Sequence, residues 1–359
     1  MTSPSERARR AHVVGLGLIG GSIALGLRAQ GWSVTGEDHD TATENDAVSL
    51  GAIDSATRHP ATPLIVVCVP SSDVAAIARR QLADAPDHVV VTDVAGVKAR
   101  IVEAVDDERF LGGHPMAGSE QHGLRGARAD LFVGASWVLT PTSSTTPERY
   151  ATLVSMVRDL GATSLALTAA DHDRLVAMVS HVPHLVAGAM MNEAALLAES
   201  DAALLRLAAG GFRDMTRVAA GHPAIWPDLC VDNRDAILAG LAALRGRLAT
   251  LEAAIAGKDR ATILKELSSA SAARRNLPSS MPDPAKLVVL RVPVADRPGV
   301  LAEVTTLASD ANLNIYDLEI AHSQEGNAGV LIMVLDELAA PALAAALEQR
   351  GLKTSVEPL

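Results

Sequence analysis

A glycine-rich turn near the N-terminus constrains this chain more than any other sequence feature. Its residues Gly15, Leu16, Gly17, Leu18, Ile19 and Gly20 fit the pattern G-x-G-x-x-G. The turn follows a β-rich run and opens a helical stretch, the context in which this pattern predicts a dinucleotide site. The first glycine makes the turn, the second admits a pyrophosphate, and the third packs helix against strand. The phosphate charge then meets the helix N-terminus.

An acidic residue downstream indicates which dinucleotide is bound. Asp38 lies 18 residues after Gly20, at the end of the second predicted strand, where a carboxylate can hold a ribose 2′-hydroxyl. No Arg or Lys immediately follows Asp38 to bind a 2′-phosphate, so we predict NAD rather than NADP as the cofactor. Glu37 is the alternative ribose ligand, and Val69, at the end of the third predicted strand, is a further cofactor-binding candidate. A glycine turn without cofactor is the alternative.

The chain divides by composition into three units and a linker. Residues 11–168 alternate β-rich and helical runs, which predicts a Rossmann-like α/β domain with a parallel sheet covered by helices. Its predicted strands are 12–15, 33–37, 64–69, 88–92, 110–112, 137–140 and 163–167. Residues 169–275 are rich in Ala and Leu and predict an all-helical domain, with its longest helices at 185–205 and 228–256. Three prolines mark residues 276–286 as a linker.

Residues 287–359 form the third predicted unit. Strands at 287–294, 313–321, 329–335 and near Thr354, with helices at 299–309 and 338–349, give the order βαββαβ. Such a module binds a ligand or another copy of itself.

Composition excludes several classes of protein. The chain has 359 residues and a formal net charge of −11, which argues against nucleic-acid binding because that needs a basic surface. Two cysteines cannot build a disulfide framework and fit a reducing cytoplasm. Apolar segments alternate with charges, so we expect no membrane span.

A histidine between glycines and a proline is the candidate reactive group. Pro115 disfavours helix for the residue before it, so His114 should lie extended at a strand end. Gly112 and Gly113 should allow a ligand to approach closely. A titratable ring downstream of a dinucleotide site suggests a dehydrogenase, whereas the motif alone would be explained by a turn.

The helical unit supplies three more motifs. They are Ser180-His181-Val182-Pro183-His184, Gly210-Gly211-Phe212-Arg213-Asp214-Met215-Thr216-Arg217 and His222-Pro223-Ala224-Ile225-Trp226. Imidazole and guanidinium groups near a nicotinamide indicate an anionic substrate. Together with Gly113-His114-Pro115-Met116-Ala117-Gly118 and Asp93-Val94-Ala95-Gly96-Val97-Lys98, these motifs resemble the prephenate and arogenate dehydrogenases of tyrosine biosynthesis, over residues 11–275.

The resemblance implies an NAD-dependent oxidative decarboxylation of prephenate to 4-hydroxyphenylpyruvate. By carry-over, His114 accepts the hydroxyl proton as hydride passes to the nicotinamide, and Arg217 binds a substrate carboxylate. His184 falls on a family position facing the substrate side chain, Glu120 on one at the pocket edge, and Trp226 on one in the pocket wall.

One departure from the family pattern affects the candidate base. The family commonly has a serine where this chain has Gly96, so the hydroxyl expected near His114 is missing. Ser119, Thr92 or a water could substitute; without one, turnover should fall on the order of ten- to a hundredfold. His172 and the pair His181 and His184 also raise the alternative of zinc, but no cysteine or H-E-x-x-H pattern supports it, and we predict no metal.

The third unit has its own resemblance. Asp296-Arg297-Pro298-Gly299-Val300-Leu301, followed by Ala311-Asn312-Leu313-Asn314-Ile315, resembles the ACT domains attached to amino-acid biosynthetic enzymes. This resemblance implies an effector site at Gly299 and Asn312, most simply for tyrosine. The alternative is a module that only strengthens a dimer.

Several alternatives stay open at the level of sequence. Arogenate could replace prephenate as the substrate, since Glu120 could pair with its ammonium group. A protein that senses a nucleotide and an amino acid without catalysis is the alternative outside the enzymes. A hydroxyacid dehydrogenase would place a lysine base in the helical unit, yet no lysine occurs between Lys98 and Lys258. We expect a homodimer in the cytoplasm.

Overall fold

The structure is a computed structural model of the chain. It describes residues 9–119, 121–201, 203–221, 223–276, 286–295, 297–311, 313–322 and 328–358. The chain separates into two compact units, with the division between Leu248 and Ala249. The predicted domain boundaries at 168/169 and 275/276 remain predictions.

The first unit begins with a parallel four-stranded sheet. Its strands are β1 (Arg10–Val14), β2 (Ser33–Glu37), β3 (Leu64–Val67) and β4 (Val90–Asp93), in the order β2-β1-β3-β4. Helices α1 (Leu18–Ala29), α2 (Thr41–Ser49), α3 (Ser71–Ala83) and α4 (Ala99–Val105) connect or follow these strands. All four residues of β3, Leu-Ile-Val-Val, are buried, as expected for a central parallel strand covered on both faces.

A second, three-stranded sheet extends this unit, and here the prediction of a wholly parallel sheet was wrong. Strand β5 (Gly112–Pro115) runs antiparallel to β6 (Ser136–Thr140), which is parallel to β7 (Thr163–Ala166). A parallel bridge between Val91 and Phe110 places the chain leading into β5 beside β4. Helix α5 (Pro147–Asp159) lies between β6 and β7 in the chain.

The two glycines of β5 have a role other than the one expected. A Cβ on Gly112 would lie 2.5 Å from the Thr140 hydroxyl, and one on Gly113 would lie 2.8 Å from the Asp93 carbonyl oxygen. Both directions are therefore filled by protein, so these glycines admit neighbouring strands rather than a ligand.

Helices make up the rest of the first unit. They are α6 (Ala169–Val176), α7 (Val182–Ser200), α8 (Gly210–Thr216), α9 (Trp226–Asp232) and α10 (Arg234–Ala256), which runs on into the second unit. A π-helical turn, Ala177–His181, joins α6 to α7. The helix predicted over 228–256 is divided at Asn233, whose buried amide donates to the Asp173 carbonyl.

Among the described residues one continuous helix, Ala169–Ser200, is long and apolar enough to cross a membrane. Core helices of globular proteins pass the same test of length and composition. This helix carries the buried side chains of His172, Asp173 and His181, and Asp173 binds backbone amides at the start of α4. Those hydrogen bonds connect this helix to the segment between β4 and α4.

The second unit contains α11 (Arg260–Arg275) and an antiparallel sheet of four strands. The strands are β8 (Leu287–Ala295), β9 (Asp317–His322), β10 (Ala328–Asp336) and β11 (Ser355–Pro358), in the order β11-β8-β10-β9. Helices α12 (Val300–Asp310) and α13 (Ala340–Gln349) complete the predicted order βαββαβ. They pack with the sheet around a buried core that includes Leu290, Leu331 and Leu343.

Candidate active site

The glycine turn after β1 has the geometry that a dinucleotide requires. Gly15 has φ +92°, and a Cβ there would lie 2.3 Å from the Cys68 carbonyl oxygen. A Cβ on Gly20 would lie 1.9 Å from the Gly15 carbonyl oxygen, so this glycine lets α1 pack on the turn. In contrast, a Cβ on Gly17 would meet nothing within 4 Å. The space beside Gly17, at the uncapped start of α1, fits a pyrophosphate.

The two acidic residues at the end of β2 lie in different surroundings. Asp38 Oδ2 accepts a 2.7 Å hydrogen bond from the Leu16 amide inside the glycine turn. Glu37 instead accepts hydrogen bonds from Arg80 and Gln81, at 2.7 and 2.8 Å. Glu37 is thus engaged away from the turn, and its pKa is lowered by His12, with a further contribution from Arg80. Of the two carboxylates, that of Asp38 is the one hydrogen-bonded to the glycine turn.

His114 lies on β5, in the extended conformation that the His-Pro pair predicts. The edge of its ring formed by Nε2 and Cε1 faces Gly96, in the loop after β4. A Cβ on Gly96 would lie 3.8 Å from Nε2 and 3.4 Å from a methyl group of Leu229. The absent serine side chain would therefore have reached this nitrogen, and in its place Nε2 faces a small gap.

The other ring nitrogen of His114 begins a chain of hydrogen bonds. His114 Nδ1 lies 2.8 Å from His172 Nε2, and His172 Nδ1 lies 2.7 Å from Asp173 Oδ1. His172 is fully buried. Asp173 also accepts hydrogen bonds from the backbone amides of Lys98, at 2.7 Å, and Ala99, at 2.9 Å. The carboxylate thereby links the helical region to the loop that holds Gly96.

A buried ion pair supports the strand on which His114 lies. Lys98 Nζ donates to the Asp93 carboxylate and to the Gly113 carbonyl oxygen, and Asp93 Oδ1 accepts from the Gly113 amide at 3.1 Å. Neither side chain of the pair is exposed. Burial lowers the pKa of Lys98, and Asp93 partly opposes that change. Removing one partner would leave an uncompensated buried charge, which is strongly destabilising.

The environment of His114 favours the neutral imidazole. Burial lowers its pKa well below the usual value, and the nearby His172, Lys98 and His181 lower it further. A neutral ring has one nitrogen free to accept a proton, as a base requires. The surroundings therefore keep His114 neutral and disfavour the imidazolium form.

Two histidine rings from the helical part of the first unit contact the Trp226 indole. His184 stacks on Trp226, with ring centroids 3.6 Å apart and planes inclined by 16°. His181 meets the same indole edge to face at 6.1 Å, and burial lowers its pKa to about 4. Since π-helical turns often occur at functional sites, the turn that ends at His181 is consistent with a role in shaping this pocket.

The remaining predicted substrate ligands are less closely gathered. Arg217 lies at the C-terminal end of α8 with its side chain exposed, and no described residue forms a hydrogen bond or ion pair with its guanidinium. The Ser119 hydroxyl accepts the Gln121 amide at 3.1 Å in an exposed loop, and no hydrogen bond joins it to His114. Glu120 lies outside the described residues.

Two further expectations concern the neighbourhood of His114. The Thr92 hydroxyl donates to the Asp93 carbonyl at 3.4 Å, whereas the His114 ring bonds to His172. Val69 lies next to the glycine turn, with its Cγ1 3.2 Å from the position of a Cβ on Gly15. Within the described part of the chain no cluster of three metal-ligating side chains occurs.

The sequence motifs missed the residues behind His114. His172 was considered only as a possible zinc ligand, and Asp173 was not considered. His172 is hydrogen-bonded to His114, and Asp173 is hydrogen-bonded to His172. Their adjacency to each other, close before the His181 motif, was the available signal. What it lacked was any indication that the ring would point at a strand 58 residues earlier in the chain.

At the C-terminal module, one of the two predicted effector residues can be described. Gly299 has φ +90° and immediately precedes α12, and a Cβ there would meet nothing within 4 Å. Asn312 lies outside the described residues.

Comparison with known proteins identifies the family of this chain. Residues 23–166 match the family model described as the prephenate dehydrogenase nucleotide-binding domain, and residues 168–269 match the prephenate dehydrogenase dimerization domain. A prephenate dehydrogenase of Lactococcus lactis is 30% identical, over 85% of this chain and 88% of the relative.

Two solved structures are similar as well. Prephenate dehydrogenase from A. aeolicus, in complex with hydroxyphenyl propionate and NAD+, has a TM-score of 0.70 and 27% identity, over 75% of this chain and 98% of its own. Synechocystis arogenate dehydrogenase has a TM-score of 0.65 and 33% identity, over 74% of this chain and 98% of its own.

Proposed function

The chain belongs to the prephenate dehydrogenase family, and we propose that His114 and Arg217 carry its NAD-dependent oxidative decarboxylation of prephenate to 4-hydroxyphenylpyruvate. The observation that supports this most directly is the orientation of His114. One ring nitrogen is occupied by His172, while the other faces the gap at Gly96. A sensor without catalysis has no need for such a base.

The cofactor is NAD, which accepts the hydride when bound. The turn from Gly15 to Gly20 would hold its pyrophosphate against the start of α1, and Asp38 would bind the adenosine ribose. Because Asp38 also fixes the Leu16 amide, the same carboxylate shapes the turn. The contact of Val69 with that turn supports a place for it in the cofactor pocket.

In the reaction, His114 Nε2 takes the proton of the ring hydroxyl while that carbon loses hydride. The ring then loses its carboxylate as CO₂ and becomes aromatic, and the proton returns from the protein to the phenolic oxygen. No net proton is released or consumed in this sequence. A neutral His114 with a lowered pKa is in the correct state to begin it.

Arg217 would bind a carboxylate of prephenate, since its planar guanidinium offers two parallel donors and has no partner among the described residues. His184, held by its stack on Trp226, would face the pyruvyl side chain. By family position, Glu120 would lie at the edge of this pocket, and we keep Ser119 as a candidate for the hydroxyl that is missing at Gly96. Gly96 would leave room beside the reacting oxygen.

The test is a spectrophotometric assay of the full chain with prephenate, using NAD and NADP in turn. We expect NADH formation with prephenate and preference for NAD, because Asp38 would repel a 2′-phosphate. Absence of NADH formation with both prephenate and arogenate would overturn the assignment.

Arogenate is the second candidate substrate, favoured by the 33% identity to Synechocystis arogenate dehydrogenase. The two substrates differ only in a keto group or an ammonium group at the side chain. Comparing kcat/KM for both substrates decides between them, and a carboxylate at position 120 would favour arogenate.

We further propose that residues 287–359 form an ACT module whose effector is an aromatic amino acid, most simply tyrosine. The βαββαβ order and the open Gly299 at the start of α12 support this proposal. Calorimetry with tyrosine, phenylalanine and tryptophan tests it. Absence of binding heat and of any change in turnover would leave the module a purely structural role.

Assembly and location follow from the same membership. Residues 168–269 match the family's dimerization domain, which supports a homodimer. We propose a cytoplasmic location, and sedimentation of the purified chain tests the dimer.

A further inference from the structure

We propose that His114 is the first member of a two-histidine proton relay, in which His172 holds the proton during the reaction and Asp173 stabilises it there. This inference rests on the proposed function, since it assigns a path to the proton that His114 abstracts. It makes His172 a residue that acts through His114 rather than on the substrate.

The hydrogen-bond chain fixes which nitrogen of each ring carries hydrogen. Asp173 accepts backbone N–H groups at both oxygens, and its Oδ1 also lies 2.7 Å from His172 Nδ1. A carboxylate only accepts, so His172 Nδ1 carries the hydrogen and its Nε2 is an acceptor. His114 Nδ1, 2.8 Å away, must then be the donor. His114 Nε2 is left unprotonated, on the edge that faces Gly96.

The same chain can transfer charge. When His114 Nε2 takes the hydroxyl proton, the O–H bond of the substrate breaks and an N–H bond forms. In the same step the Nδ1–H bond of His114 breaks as a new N–H bond forms at His172 Nε2. The positive charge moves from a ring beside Lys98 to a ring bonded to Asp173. Each transfer reverses when the phenolic oxygen recovers its proton, so atoms and charge balance.

Burial makes His172 a better place for the positive charge than His114. His172 is fully buried and Asp173 nearly so, which strengthens their interaction relative to one in water. His114 is a poor place to keep a charge, because Lys98 and the low polarity of its surroundings oppose the imidazolium form. Around the pair, the charged or titratable groups are Lys98 with Asp93 on the strand side, and His181 on the helical side. Among the described residues, Asp173 is the acidic group that is hydrogen-bonded to His172, and it can stabilise the charge there.

The test compares two substitutions of buried histidines in the full-length enzyme. His172→Gln keeps an amide oxygen that can accept the His114 N–H, so ring orientation is retained, but it cannot hold a proton. We expect kcat to fall on the order of a hundredfold. Affinities for NAD and prephenate should stay near wild type. His12→Gln is the matched control, because His12 is buried on β1, where it hydrogen-bonds Thr35 and lies 3.8 Å from the Glu37 carboxylate, away from His114.

The pH profile separates a relay from a merely structural role. With the relay, the pH dependence of kcat/KM reports the hydrogen-bonded pair of rings rather than one ring alone. In His172→Gln the charge can no longer move to residue 172, so the acidic limb should shift from its wild-type position. If the variant folds and binds NAD yet keeps wild-type kcat and the wild-type limb, the relay is wrong.

A measurement on the unmodified enzyme guards against a variant that fails to fold. In single-turnover reactions across mixtures of H₂O and D₂O, two protons moving in one step give a bowed dependence of rate on deuterium content. A linear dependence, or none, would overturn the relay. If the wild-type enzyme has no activity towards prephenate or arogenate, both the proposed function and the relay are overturned. If the wild type is active and His172→Gln has the same kcat and pH profile, the relay alone is overturned.

Discussion

The cofactor turn and the base site lie in one structural unit but are built in opposite ways. The turn from Gly15 to Gly20 consists of six consecutive residues, and its properties come from backbone that lacks side chains. The base site joins His114, His172 and Asp173 from a strand and a helix far apart in the chain. Adding a side-chain carbon to a glycine should disrupt the turn, whereas removing an imidazole nitrogen should disrupt the base site.

The largest expected effect breaks the base site and leaves the turn intact. In His114→Asn the amide takes the place of Nδ1 and can still donate to His172, but Nε2 is gone. We expect kcat to fall roughly a thousandfold, the scale of general base catalysis. NAD binding, followed by fluorescence titration, should be unchanged. Turnover close to wild type would remove His114 from its role.

The second effect breaks the turn and leaves the base intact. In Gly20→Ala the added carbon would lie 1.9 Å from the Gly15 carbonyl oxygen. Such overpacking should lower the free energy of unfolding by about 3 kcal/mol, as measured by urea denaturation.

Gly17→Ala is the control for the turn, since its added carbon meets no protein atom within 4 Å. It should leave stability unchanged and weaken NAD binding. Equal stabilities of the two alanine variants would contradict this account of the turn.

A third effect concerns pH, to which the base site should be sensitive and the turn should not. The pKa of His181 is about 4 in the folded protein and 6.5 without burial, so the unfolded chain binds its proton first as the pH falls. Stability from this group is present above pH 6.5 and is lost towards pH 4. Between pH 7 and pH 5 the loss should be about 2 kcal/mol. His181→Gln should lose less stability over this interval, and an equal loss would exclude His181 as the cause.

The smallest effect adds to the base site. Gly96→Ser fits, because its Cβ would meet Leu229 at an ordinary 3.4 Å and lie 3.8 Å from His114 Nε2. The hydroxyl can then orient the reacting oxygen, and kcat should rise about tenfold. A fall in kcat would show that the gap at Gly96 is needed, for a water or for the substrate itself.

The same contrast explains what could be predicted from the sequence. The glycine turn and the extended conformation of His114 depend on neighbours within the chain, so spacing and residue type were sufficient to predict them. The ribose contact of Asp38 stays a prediction. The antiparallel pairing of β5 with β6 was missed, because a buried strand shows no sign of its direction. The roles of Gly112 and Gly113 were misassigned, since sequence cannot tell whether a ligand or a strand fills the space beside a glycine.

The sequence by itself determined that this chain has a dinucleotide-binding turn, a histidine held extended by the proline that follows, and a C-terminal βαββαβ module. Only the tertiary structure decided that His114 is hydrogen-bonded to His172 and through it to Asp173. It also decided that Glu37 binds Arg80 and that His184 stacks on Trp226. The physical reason is range. Backbone conformation is set by adjacent residues, whereas the partner of a side chain is chosen by packing between segments that are distant in sequence.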